Sequence, residues 1–178
     1  MSWPFIDPSG KPPGHQRWKL PELYFDVSLD PTDGQIGVRA FLPGTRYTRL
    51  LNEEEKNLPA STHCKVTKMI IYAKDMEKWP VVAERAEGLR CIDVFEAIYK
   101  TYSVPLTEEE KNAYTPEFLR SCMPLFEQRC KEGPGLTAFN IARGLCRVDT
   151  LQMDRVFKGL SRGERAQAWT LTLGSRPH

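Results

Sequence analysis

The sequence predicts an α+β fold, in which an antiparallel or mixed sheet carries about three helices packed on one face. Three observations predict it. Apolar residues alternate with period two between residues 23 and 42, recur with period 3.6 between 93 and 130, and alternate again at Trp169-Thr170-Leu171-Thr172-Leu173. Most connections between strands have hairpin character, which favours antiparallel pairing.

In chain order, residues 1–20 hold Pro4, Pro8, Pro12, Pro13 and Gly14 and are expected to form a flexible, extended arm. The arm also carries Trp3, Phe5, Ile6 and Trp18, which are expected to rest on the body or on another copy. Residues 21–178 are read as one domain. In Leu23-Tyr24-Phe25-Asp26-Val27-Ser28-Leu29 the odd positions are apolar and share one strand face. Asp30-Pro31-Thr32-Asp33-Gly34 has turn composition, and Ile36, Val38, Ala40 and Leu42 alternate again, so the two runs predict a β-hairpin.

Asn52-Glu53-Glu54-Glu55-Lys56 predicts a short polar helix or loop that ends by Pro59. A strand is expected over Lys65 to Tyr72, then a break at Asp75 to Lys78. A second strand follows at Trp79-Pro80-Val81-Val82-Ala83, where the proline suits an edge. From Asp93, Val94, Phe95, Ile98, Tyr99 and Tyr102 fall on one helical face, with Asp93 at the amide-rich end. Thr107-Glu108-Glu109-Glu110 has the form of a capping box. Thr115-Pro116 opens a further helix whose buried face steps through Phe118, Cys122, Phe126 and Cys130, beside Leu119 and Met123. Pro124 predicts a kink in it, and Gly133-Pro134-Gly135 a stop.

A chain of 178 residues, 40% hydrophobic and 27% charged, suits one globular domain with its own core. Its apolar runs fall short of the roughly 18–20 residues a membrane span needs, and the opening residues lack a secretory h-region. A soluble cytoplasmic protein is therefore expected. Five cysteines (Cys64, Cys91, Cys122, Cys130 and Cys146) at irregular intervals form no C-x-x-C pair, so they are expected as free, mostly buried thiols without a metal. The net charge of +2 divides unevenly, with residues 131–178 at +4 and residues 51–130 at −3. This asymmetry is milder than a nucleic-acid footprint requires.

Gly144-Leu145-Cys146-Arg147-Val148-Asp149-Thr150-Leu151, then Phe157-Lys158-Gly159-Leu160 and Trp169-Thr170-Leu171, form a pattern G-x-x-R-x-D-x-L, F-x-G-L, W-x-L. This pattern resembles a fungal, mainly basidiomycete, family of uncharacterised domains. Upstream, Tyr24-Phe25-Asp26-Val27 resembles that family's aromatic-Trp-Asp-Leu strand, with phenylalanine where tryptophan is usual. Leu58-Pro59-Ala60-Ser61, Trp79-Pro80-Val81 and Asp93-Val94-Phe95 resemble its Q-P-A-T, W-x-I and D-V-L segments. The resemblance spans roughly residues 23–173 and implies one domain and a fungal source. It brings no activity, substrate or cofactor.

Candidate chemistry is sparse. Arg147 and Asp149, two apart in a segment read as extended, would point the same way. They either aim a guanidinium-held carboxylate at a ligand or fix the connection into Phe157-Lys158-Gly159-Leu160, where Gly159 suggests a turn or close approach. His63 and Cys64, adjacent on a strand, would face opposite sides and form no dyad. With only three histidines in the chain, a triad or multi-histidine metal site is hard to build. The runs Glu53-Glu54-Glu55 and Glu108-Glu109-Glu110 suit helix starts rather than acid–base pairs. Gly133-Pro134-Gly135 lacks the lysine and helix of a phosphate loop. Arg143, Arg147, Arg155, Lys158, Arg162 and Arg165, near Phe139, Phe157 and Trp169, make the weak case for nucleic acid, interrupted by Asp149, Asp154 and Glu164.

The residues therefore favour a non-enzymatic module that binds a protein partner or itself through strand edges and the aromatic arm, without a cofactor. A small-molecule pocket near Arg147 and Asp149 stays open beside it. Trp79 and Trp169 join that pair as candidate binding residues.

Overall fold

The alternating runs form strands in two separate sheets, much shorter than the pattern suggests between residues 23 and 42 but slightly longer than it at Ala168–Gly174. The computed structural model describes residues 23–61, 64–74, 76–133, 135–163 and 168–175, without the side chains of 76 and 77. The expected N-terminal arm, His63 and Arg165 lie outside the described residues.

The first sheet is antiparallel, in the order β1 (Leu23–Tyr24), β2 (Arg39–Phe41), β3 (Thr48–Leu50). The expected hairpin pairing is present, with Leu23 opposite Ala40. It stops after two residues because the chain then crosses to the other sheet. Asp26 bridges Val156, and the Val27 amide donates to the Arg155 carbonyl at 2.9 Å. Asp26 drives the departure, for it is buried and pairs with buried Arg155, Nε to Oδ2, at 3.1 Å. Strand β3 has no counterpart in the sequence reading.

The second sheet is mixed, in the order β5-β4-β7-β6, from β4 (Lys68–Ala73), β5 (Met76–Glu84), β6 (Val156–Arg162) and β7 (Ala168–Gly174). Only β4 and β7 are parallel. The expected break at Asp75 to Lys78 is a tighter turn, since Ala73 already opposes Met76. Pro80 sits on the edge strand β5, where its missing amide leaves no ladder bond unmade. The Phe157–Leu160 segment, where Gly159 suggested a turn or close approach, is the body of β6. Gly159 marks a bulge there, with a φ of 148° that only glycine adopts without strain.

The described residues form five α-helices: α1 (Glu53–Lys56), α2 (Cys91–Tyr102), α3 (Glu108–Asn112), α4 (Pro116–Glu132) and α5 (Thr137–Ala142), the last starting at Leu136 without a side-chain cap. Thr107 and Glu110 close the expected capping box on α3. A second box, Asn52 with Glu55, starts α1. Thr115 caps α4, which runs on through Pro124 and ends at Gly133. On α4, Cys122, Phe126 and Cys130 are buried as the stepping predicted, whereas Phe118 is only half-buried and Met123 is exposed. A 3-10 helix, Arg147–Leu151, precedes β6.

Helix α2 packs its apolar face on β5. At the centre lies Phe95, fully buried, edge-to-face against Phe25 and Phe157 at 5.2 Å from each ring centroid. One side chain thus joins the helix, the segment after β1 and β6. The cysteines are free, and Cys91, Cys122, Cys130 and Cys146 are buried while Cys64 is exposed. Burial, reinforced by the nearby Asp93 carboxylate, pushes the Cys91 thiol up to about 12. One fast-reacting thiol is therefore expected from the folded protein with a thiol-specific disulfide reagent. All five should react in denaturant, and two or more fast thiols in the native state would contradict this packing.

Candidate functional site

The two residues singled out in the Gly144–Leu151 segment part company. Arg147–Leu151 form a 3-10 helix rather than an extended strand, so residues two apart point in different directions. Asp149, 2% exposed, accepts both prongs of the Arg129 guanidinium from α4, each at 2.8 Å. It also accepts the Cys146 amide at 2.7 Å, the box that starts the 3-10 helix. Arg129 in turn donates to the Gly144 carbonyl at 3.2 Å. Every strong bond Asp149 makes is internal, so it fastens α4 to the approach to β6.

Arg147 turns the other way and meets Trp79. Its guanidinium carbon lies 5.2 Å from the Trp79 ring centroid, and its Nε donates to Glu110 Oε1 at 2.9 Å. The Trp79 indole donates to the same oxygen at 2.5 Å. Glu110 therefore does two jobs, for its other oxygen closes the α3 capping box. Burial pushes this carboxyl up, but the Thr107 amide, the indole and the guanidinium outweigh it and hold the group below its ordinary value. A carboxylate kept ionised with both oxygens engaged is poorly suited to move protons.

Aromatic and cationic groups extend the cluster. Lys78 Nζ lies 4.2 Å from the Trp79 centroid and 3.9 Å from that of Tyr114, whose hydroxyl it also bonds. Tyr114 stacks on Phe118 at 4.8 Å. Beneath them Tyr102 is fully buried, and burial raises its hydroxyl to about 12. That hydroxyl has no hydrogen-bond partner among the described residues. The arrangement clamps α3 and the 3-10 helix onto β5. Sequence reasoning picked Trp79 and Arg147 but missed Glu110 between them, because its place in a capping box already explained it.

Trp169 is 7% exposed within β7, opposite Ile71 and Arg162. Phe157 is buried as well, and Arg155 is committed to Asp26. Neither ring is free to stack a base, whereas Phe139, Arg143, Lys158 and Arg162 are exposed.

The exposed apolar surface lies elsewhere. On α5 and its N-cap, Leu136 is 79%, Phe139 66% and Ile141 51% exposed. These residues sit on a short helix that offers little of its own side-chain surface to the core. Asn140 is the buried one, its Nδ2 donating to the Cys130 carbonyl of α4 at 3.3 Å. Gly135 and Gly144 bracket the helix with φ of 95° and 76°, turning it out from α4 and back. From Gly133 to Val148 the chain holds no carboxylate, whereas Arg143 is exposed at the end of α5.

A family model matches residues 23–167, from β1 through the five described helices to just past β6. The chain belongs to the family of unknown function DUF6699. The match stops just before β7, although β7 lies between β4 and β6 and completes the DUF6699 sheet of this chain. No curated protein and no solved structure matches it. The Arg129–Asp149 fastening, the Glu110 clamp and the α5 surface all fall within the DUF6699 match. Among its described residues, no group of three or more His, Cys, Asp or Glu could hold a metal, and no helix is long and apolar enough to cross a membrane.

Proposed function

We propose that this DUF6699 domain is a protein-interaction module that inserts α5 into an apolar groove on another protein. The observation that carries the reading is the exposure of Leu136, Phe139 and Ile141 on one anchored helical turn. Large apolar side chains left in water are worth about 1.5–3 kcal/mol each once buried, so such a cluster marks a contact surface. The mode is helix-in-groove recognition, with side chains spaced along one short helix as anchors. Arg143 and the lack of carboxylates from Gly133 to Val148 select a groove with an acidic rim. The proposed setting is the cytosol of a fungal cell, supported by the fungal resemblance and by free, buried thiols. Strand edges contribute less than the sequence suggested, because β6 is already bridged by Asp26.

The test is a native mass spectrum of the chain purified from its own host, beside the variant L136S/F139S/I141S. The unaltered chain is expected to arrive with a second protein. The variant is expected to arrive alone, with a melting temperature within a few degrees, because exposed substitutions change stability by roughly 0.5 kcal/mol or less each. Equal recovery of the complex by both chains would overturn the reading.

A further inference from the structure

A second candidate site lies away from α5, in a groove of about 520 Å³ between residues 57–61 and 64–66 on one side and the turn from β5 into α2 on the other. Its volume falls in the range of roughly 300–1,000 Å³ typical of small-molecule sites. The walls are pre-formed by backbone bonds. The Ala60 amide donates to the Leu89 carbonyl at 2.8 Å, Cys91 to Leu58 at 2.8 Å, and Leu89 to Val66 at 2.7 Å. Pro59, Val66 and Leu89 supply apolar lining, and Lys65, Arg85 and Arg90 supply three cations.

The cations are not equally occupied. Arg90 is held by Asp93 through Nη2 at 2.7 Å and Nε at 3.1 Å, and by Asn57 Oδ1 at 2.8 Å. Arg85 reaches Glu87 at 3.3 Å and Asp93 at 3.4 Å, both long, and its Nη2 makes no hydrogen bond among the described residues. Lys65 is exposed and makes no hydrogen bond or close ion pair among the described residues, its charge acting on the Glu87 carboxylate only at a distance. Its stem lies over Gly88, where an added Cβ would stand 3.3 Å from Lys65 Cγ. Glycine at this position lets the lysine lie along the groove. Among the described residues, one carboxylate, Glu87, lines the groove against three cations, and Asp93 behind it is shared by both arginines.

We propose that this groove binds a small organic anion: an apolar body against Pro59, Val66 and Leu89, with a terminal carboxylate or phosphate between Lys65 and Arg85. The two arginines are pre-oriented by Asp93, which lowers the ordering cost of the complex. Lys65 supplies the charge that discriminates an anion from its neutral analogue.

The test is an amide NMR titration of the full chain with 1-naphthyl phosphate, 1-naphthoate and uncharged 1-naphthol. Saturable shifts are expected at Ala60, Val66, Gly88 and Leu89 with one or both anions, and the tighter of the two identifies the head group. Naphthol should bind at least tenfold more weakly, as a lost charge-assisted bond implies. Lys65→Ala should weaken the anion by about tenfold without lowering the melting temperature, because Lys65 bonds to nothing that it would release. Shifts centred on α5, naphthol binding as tightly as the anions, or an unchanged affinity in Lys65→Ala would each overturn the proposal. The naphthol and Lys65→Ala outcomes do not bear on the α5 interaction, which uses other residues.

Discussion

Replacing Asp149 by alanine is expected to lower the unfolding free energy by about 3–5 kcal/mol, because it strands the Arg129 guanidinium in a buried site. For a chain of this length the melting temperature should fall by on the order of 10 °C. Arg129→Met should cost a similar amount by leaving the carboxylate uncompensated. The paired variant Arg129→Met/Asp149→Leu should recover much of the loss, since it removes both charges together. Arg147→Ala, by contrast, should cost only about 1 kcal/mol, since its ion pair with Glu110 keeps 22% and 17% of its side chains exposed. Urea unfolding of the four variants tests this ordering. Equal costs for Arg147→Ala and Asp149→Ala would mean that the two residues act as one site after all.

The second large effect is expected at Phe95. Truncation to alanine should cost about 3–5 kcal/mol, for it removes a fully buried ring and its edge-to-face contacts with Phe25 and Phe157. Phe95→Leu should cost distinctly less by refilling most of the volume. The loss should appear in chemical denaturation as a lower midpoint with an unchanged slope. A change in slope would show that the segment after β1 detaches from β6 before the rest unfolds.

What the sequence made legible follows from how local each signal is. Capping at Thr107 and Thr115 depends on residues three apart, so it could be read directly, and the structure keeps both. The stripe Cys122, Phe126, Cys130 was legible for the same reason. Arg129 carries the lesson that was missed. It stands seven residues after Cys122 and three after Phe126, on the buried side of α4, where a cation demands a carboxylate. Its partner lies twenty residues on, and no local rule points to it. Asp26 posed the same problem, since its partner Arg155 is more than a hundred residues away. It ends the first strand pair where alternation alone would extend it.

Helix α5 was hard to see for another reason. With Leu136, Ala138, Phe139, Ile141 and Ala142 spread around so short a turn, it shows no amphipathic period. A helix that buries Asn140 against α4 and leaves its large apolar side chains outside the core is what an external contact would use.

The α5 interaction is tested most directly by placing the photo-crosslinking residue p-benzoylphenylalanine at position 139, and separately at Arg120 on the exposed side of α4, and irradiating each chain in its host. The α5 reading predicts one dominant adduct with another protein from position 139, lost when L136S and I141S are added, and none from position 120. Adducts of the same kind from both positions, or an adduct at 139 that survives those two changes, would contradict it. A dimer adduct of this chain would place the partner groove on a second copy and overturn the choice of a different protein.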